Sequence, residues 1–85
     1  MAISLQHLSD GAASLEFGTG DAEAVRAAIA ARYGKMRRRR FVLAAEVTIG
    51  GERFAFQNQW NDPCLISRSQ RGAEMLERIA NDLGA

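Results

Sequence analysis

The sequence predicts an α+β domain of order ββαββα: a four-stranded antiparallel sheet with two helices packed on one of its faces. Three observations predict it. Apolar residues alternate at a period of two in four segments. Two other segments space them by three and four, the helical period. Turn-forming residues separate the segments at Asp10-Gly11, Gly34, Gly50-Gly51 and Asn61-Asp62-Pro63.

The first strand alternates Ile3, Leu5 and His7 with Ser4 and Gln6; the second alternates Ala13, Leu15 and Phe17 with Ser14 and Glu16. A two-residue Asp10-Gly11 loop would set Leu5 against Glu16. A three-residue Ser9-Asp10-Gly11 loop sets Leu5 opposite Leu15 and Ile3 opposite Phe17, with Gly11 supplying a left-handed residue. The longer loop keeps apolar side chains together and is expected.

Asp21 is the expected N-cap of the first helix, its carboxylate accepting from free backbone N–H groups. Val25, Ile29 and Tyr33 fall on one stripe, and Glu23, Arg26 and Ala30 lie off it. Gly34 stops the helix.

Lys35, Met36 and the run Arg37 to Arg40 lead directly into the third strand, residues 41–49. Phe41, Leu43, Ala45, Val47 and Ile49 take the core face. Arg40, Val42, Ala44, Glu46 and Thr48 take the other. Gly50-Gly51 makes a two-residue hairpin turn. It sets Val47 against Phe54, Ala45 against Phe56 and Phe41 against Trp60. Asn61-Asp62-Pro63 then breaks the strand.

Ser67 with Gln70 reads as a capping box, and Ser69 as a competing N-cap. Leu76, Ile79, Ala80 and Leu83 form the apolar face of the second helix. Glu74 and Arg78 form an i,i+4 pair. The expected strand order is 2-1-3-4, with the third strand central.

Eighty-five residues make about one domain, expected to span 1–85. A net charge of +1 excludes a polyanionic mimic and a uniformly basic coat. No apolar run approaches the roughly 18–20 residues of a membrane span. The N-terminus lacks the basic and apolar regions of a signal peptide. With Cys64 the only cysteine, no intramolecular disulfide can form, and a cytoplasmic setting is expected.

Cys64 is expected as a small buried apolar residue, and His7 as a structural strand residue. A structural zinc site normally needs four Cys or His ligands, and the chain holds two. Gly18-Thr19-Gly20-Asp21 lacks the third glycine and the Lys-Ser/Thr of phosphate loops. Glu16, Glu46 and Asp62 have no evident base partner. No cofactor, metal or catalytic role is therefore expected.

The basic cluster is the least ordinary feature. Lys35 and Arg37 to Arg40 supply five of the 11 basic residues; elsewhere six basic residues face 10 acids, a balance of −4. Such a spot can grip phosphates or an acidic protein surface. Its plain reading is a solvated, charged entry to a strand that discourages edge pairing. The open sheet face adds Arg53, Gln57 and Gln59, with Trp60 at its rim. The plain reading of Trp60 is a core-edge residue packed beside Phe41.

The expected partner-binding set is thus Lys35, Arg37, Arg38, Arg39, Arg40, Arg53, Gln57, Gln59 and Trp60. The expected function is that of a small antagonist, a non-enzymatic module that binds and blocks a larger protein or nucleoprotein complex. Anti-CRISPR, immunity and antitoxin proteins share that class by analogy only. The alternatives are sequence-independent RNA or DNA binding through Arg37 to Arg40, and a homodimer paired through the edge of the second or fourth strand.

Overall fold

The computed structural model describes residues 3–40, 45–59 and 62–84, with backbone alone for Arg40, Gln59 and Asp62. The expected positions of Phe41, Val42, Leu43, Ala44, Trp60 and Asn61 lie outside the described residues. Two helices pack against an antiparallel sheet, as the sequence predicts. The sheet has six strands: β1 (Ile3–His7), β2 (Ala13–Phe17), β3 (Arg37–Arg40), β4 (Ala45–Ile49), β5 (Glu52–Gln59) and β6 (Asp62–Ser67). The helices are α1 (Ala22–Tyr33) and α2 (Gln70–Asp82).

The strand order is β1-β2-β6-β5-β4-β3, which corrects the expected four strands in order 2-1-3-4. Two misread segments account for the difference. Arg37 to Arg40 do not merely lead into the expected third strand, residues 41–49. They form β3, which folds back antiparallel on β4 with Arg40 opposite Ala45.

The second misread segment begins at Asp62. From Asp62 the chain forms β6, antiparallel to β5 and hydrogen-bonded between β2 and β5. Pairing with β5 outweighs the local turn preference of Asp62 and Pro63. The ladder with β2 ends at Glu16 opposite Cys64, so Pro63 lies beyond it.

The two hairpins predicted from turn chemistry have the expected registers. Ile3 faces Phe17 and Leu5 faces Leu15 across a 3₁₀ turn over Ser9–Gly11. The Leu8 N–H donates to the Ala12 carbonyl at 2.8 Å, and both Asp10 and Gly11 are left-handed. At the second hairpin, Gly50 and Gly51 both have positive φ, of 55° and 83°. Val47 faces Phe54 and Ala45 faces Phe56.

Helix α1 buries Val25 and Ile29, half-buries Tyr33 and ends at Gly34, whose N–H donates to Ala30. Asp21 holds the N-cap position, but its side chain makes no cap hydrogen bond. A 3₁₀ turn over Thr19–Asp21 precedes the helix and gives Asp21 a helical conformation in place of the extended one usual at an N-cap. Ser69, and not Ser67, caps α2: its Oγ accepts from the Gly72 N–H at 2.9 Å. Ser67 is fully buried and donates to the Ser69 carbonyl, so it is occupied within the turn. Glu74 and Arg78 are both exposed and form no ion pair among the described residues, in keeping with how little a solvated pair gains.

One core joins the pieces. Leu15, Phe17, Val47, Phe54 and Leu65 of the sheet meet Val25 and Ile29 of α1 and Leu76, Ile79 and Ala80 of α2. Helix α2 lies over β1, β2, β5 and β6. Helix α1 leans on α2 and on the turn before it. Among the described residues, the other sheet face carries no helix. Among the described residues, no helix is long and apolar enough to cross a membrane.

Candidate partner-binding surface

Strand β3 is one edge of the sheet and consists of four arginines. Alternation sends neighbouring side chains of a strand to opposite faces. Arg38 faces Val47 and belongs to the helix-covered side. Arg37 faces Thr48 and Arg39 faces Glu46, on the open side. Arg40 takes the register position opposite Ala45, the parity of Arg38. This corrects its expected place in line with Val42, Ala44 and Glu46, because the chain reverses between β3 and β4.

The run of basic residues is therefore divided between two surfaces. On the open face, Arg37, Thr48 and Arg53 share a row across β3, β4 and β5. Two strand spacings put the backbones of the two arginines about 10 Å apart. Arg37, Arg39 and Arg53 are all exposed. Gln57 is also exposed on this face, opposite Cys64 of β6. Gln59 takes the register position opposite Asp62, and Trp60 lies outside the described residues. Further across, Gln6 donates to Glu16 at 2.8 Å and ties the β1–β2 hairpin. Among the described residues this face presents no aromatic ring: Phe17 and Phe54 are buried in the core, and Phe56 lies on the helix side.

On the helix side, the Arg38 guanidinium stacks over the Phe56 ring, 5.0 Å from its centroid. Lys35 is exposed just after α1. Both border a cavity of about 480 Å³ between α1 and the sheet, which Arg26 also reaches. Sequence reasoning missed this cavity. It grouped Lys35 and Arg38 with the open-face arginines, and it lacked the β3–β4 reversal that lays Arg38 over Phe56. No local signal marked it, because the reversal depends on the pairing of Arg37 to Arg40 with β4.

Cys64 is half-buried on the open face, which corrects its expected place in the core. It pairs with Glu16 on one side and Gln57 on the other, because β6 is an interior strand. His7 is exposed at the end of β1, a strand residue beside the hairpin as expected. The second and fourth expected strands, now β2 and β5, are interior too, so the expected pairing of copies through their edges falls. The edges are β1 and β3. Comparison of the chain with protein-family models, with curated proteins and with solved structures gave no match.

Proposed function

We propose that this chain is a non-enzymatic interaction module that docks on a larger macromolecular partner through its arginine edge strand and blocks a site there. The observation that carries the reading is β3 itself: an edge strand of four arginines, with Arg37 and Arg39 exposed on the face that Arg53 shares. An edge strand offers backbone donors and acceptors to an incoming segment. Cationic side chains on that edge select an acidic partner and repel a second copy of themselves. Gln57 adds neutral hydrogen-bonding capacity on the same face. The antagonist role places the domain beside anti-CRISPR, immunity and antitoxin proteins by analogy alone.

The second reading is direct binding of RNA or DNA through the same arginines. The open face favours it less, since its described residues offer guanidinium and amide groups but no ring on which a base could stack. Contact would then be with phosphates, independent of sequence and steeply dependent on salt.

Capture from an extract of the source cells, with and without nuclease, separates the two. The probes are the wild-type chain and an Arg37→Glu/Arg39→Glu variant. One stoichiometric protein that survives nuclease and is lost with the variant is the expected result. Mixed nucleic acid that disappears on nuclease treatment overturns it in favour of the second reading. In that case the slope of log affinity against log salt falls by about one unit per phosphate-contacting arginine removed. Capture unaffected by the charge reversal overturns both.

A further inference from the structure

The cavity under α1 has a different chemistry from the open face. Its volume, about 480 Å³, lies within the roughly 300–1,000 Å³ of small-molecule sites. Phe17, Val47, Phe56 and Leu65 line it from the sheet, and Val25 and Ile29 from the helix. These are apolar walls that burial of a hydrocarbon or aromatic body would satisfy.

Among the described residues, the charged ones that reach the cavity are all of one sign. Arg26, Lys35 and Arg38 border it, and no acidic residue does so among the described residues. Arg38 is stacked on Phe56, so its guanidinium stands at the junction of the apolar wall and the basic rim. A stacked guanidinium keeps its edge N–H groups available to a carboxylate or another oxyanion. Arg26 has Glu23 at 3.4 Å, but both side chains are largely solvent-exposed, and such a pair holds Arg26 only weakly. Asn58 adds an exposed amide to the lining.

We propose that this cavity is a binding site for an amphipathic anion: a small molecule with an apolar body, held between α1 and the sheet, and an oxyanion head held by Lys35 and Arg38. A neutral apolar ligand would leave the three cations unused, and a cationic amphiphile would meet their repulsion. The site is independent of the open face and of the macromolecular reading placed there.

The test uses decanoate as probe and decyltrimethylammonium, of equal tail length and opposite head charge, as comparison. Both are titrated below micelle-forming concentration into the methyl-labelled chain. Saturable shifts of the Val25, Ile29, Met36 and Val47 methyl resonances with decanoate are expected, with the cationic amphiphile binding at least tenfold more weakly. A Lys35→Gln/Arg38→Gln variant, checked for folding by its amide spectrum, is expected to lose tenfold or more in decanoate affinity. An Arg37→Gln/Arg39→Gln variant, altered on the opposite face, is expected to bind decanoate as the wild type does.

Absence of saturable shifts with decanoate overturns the proposal, as does equal or tighter binding of the cation. Shifts confined to residues away from the cavity overturn it too. The wild-type comparison of the two head groups decides the matter even where the Lys35/Arg38 variant fails to fold. Failure here leaves the partner-binding reading standing, because that reading rests on Arg37, Arg39 and Arg53.

Discussion

At Gly72 an added Cβ would overlap the Ser67 hydroxyl and lie 2.8 Å from Ser67 Cβ. Ser67 cannot swing aside freely: it is fully buried, and its Oγ donates to the Ser69 carbonyl and accepts from the Ser69 N–H. Two effects oppose one another in a Gly72→Ala substitution. Helix propensity favours alanine by about 1 kcal/mol. Overpacking costs about 1–3 kcal/mol, and displacing the Ser67 hydroxyl adds lost hydrogen bonds. The second effect is the larger, so the substitution is expected to destabilise the fold by about 1–2 kcal/mol. A urea unfolding curve checks this; an unchanged midpoint would mean that β6 and α2 separate at little cost.

Helix α2 is anchored at both ends by different chemistry. At its start, the Ser69 Oγ accepts from the Gly72 N–H and donates to Glu52 at 2.8 Å, tying the helix to the first residue of β5. Glu52 also has Arg71 at 3.5 Å, and Arg71 donates to the Gly50 carbonyl. At its end, Asp82 receives a two-pronged hydrogen bond from Arg32 of α1, at 2.7 and 2.8 Å. This pair joins the two helices. The hydrogen bond from Arg32 holds the Asp82 carboxyl below its ordinary pKa, and the nearby charge acts in the same direction. The pair therefore stabilises the fold at pH values above the usual carboxylate range. Its contribution is lost as the pH falls through the lowered folded-state value. Solvent access to both groups keeps that contribution small and sensitive to salt. An Asp82→Asn variant should be less stable than wild type at pH 7, and the gap should close as the pH falls toward 2. Unfolding midpoints of the two chains across that range check it, and a gap constant with pH would contradict it.

The whole molecule has two sheet edges, and only one is guarded by charge. Arg37 and Arg39 at β3 set cations along a line of backbone groups that could otherwise pair with a second copy. An Arg37→Val/Arg39→Val variant removes that repulsion and raises the strand preference of the edge. It is expected to associate with rising concentration under conditions where the wild type keeps a constant mass. Static light scattering over a tenfold concentration range checks this. A variant with unchanged mass would mean that the arginines serve the partner and not the protection of the edge.

Local chemistry was legible at the two hairpin turns and along the faces of both helices. The Ser9–Gly11 loop, the Gly50-Gly51 turn and the registers they impose follow from φ preference and from keeping apolar side chains together. The stripes of both helices follow from their spacing. The fates of Arg37 to Arg40 and of Asp62 to Ser67 were set by distant partners. A continuous apolar run such as Cys64-Leu65-Ile66 suits an interior strand, but its place between β2 and β5 depends on pairing across some 50 residues on one side and a tight reversal on the other. The division of the basic run into open-face arginines and a cavity rim follows from the β3–β4 reversal, which no local preference encodes. By itself, the sequence determined an α+β domain, two of its hairpins and the polarity of its charge. The tertiary structure decided which strands are interior, which edge is basic and where an apolar cavity meets Arg38, because backbone pairing rewards contacts between segments remote in the chain.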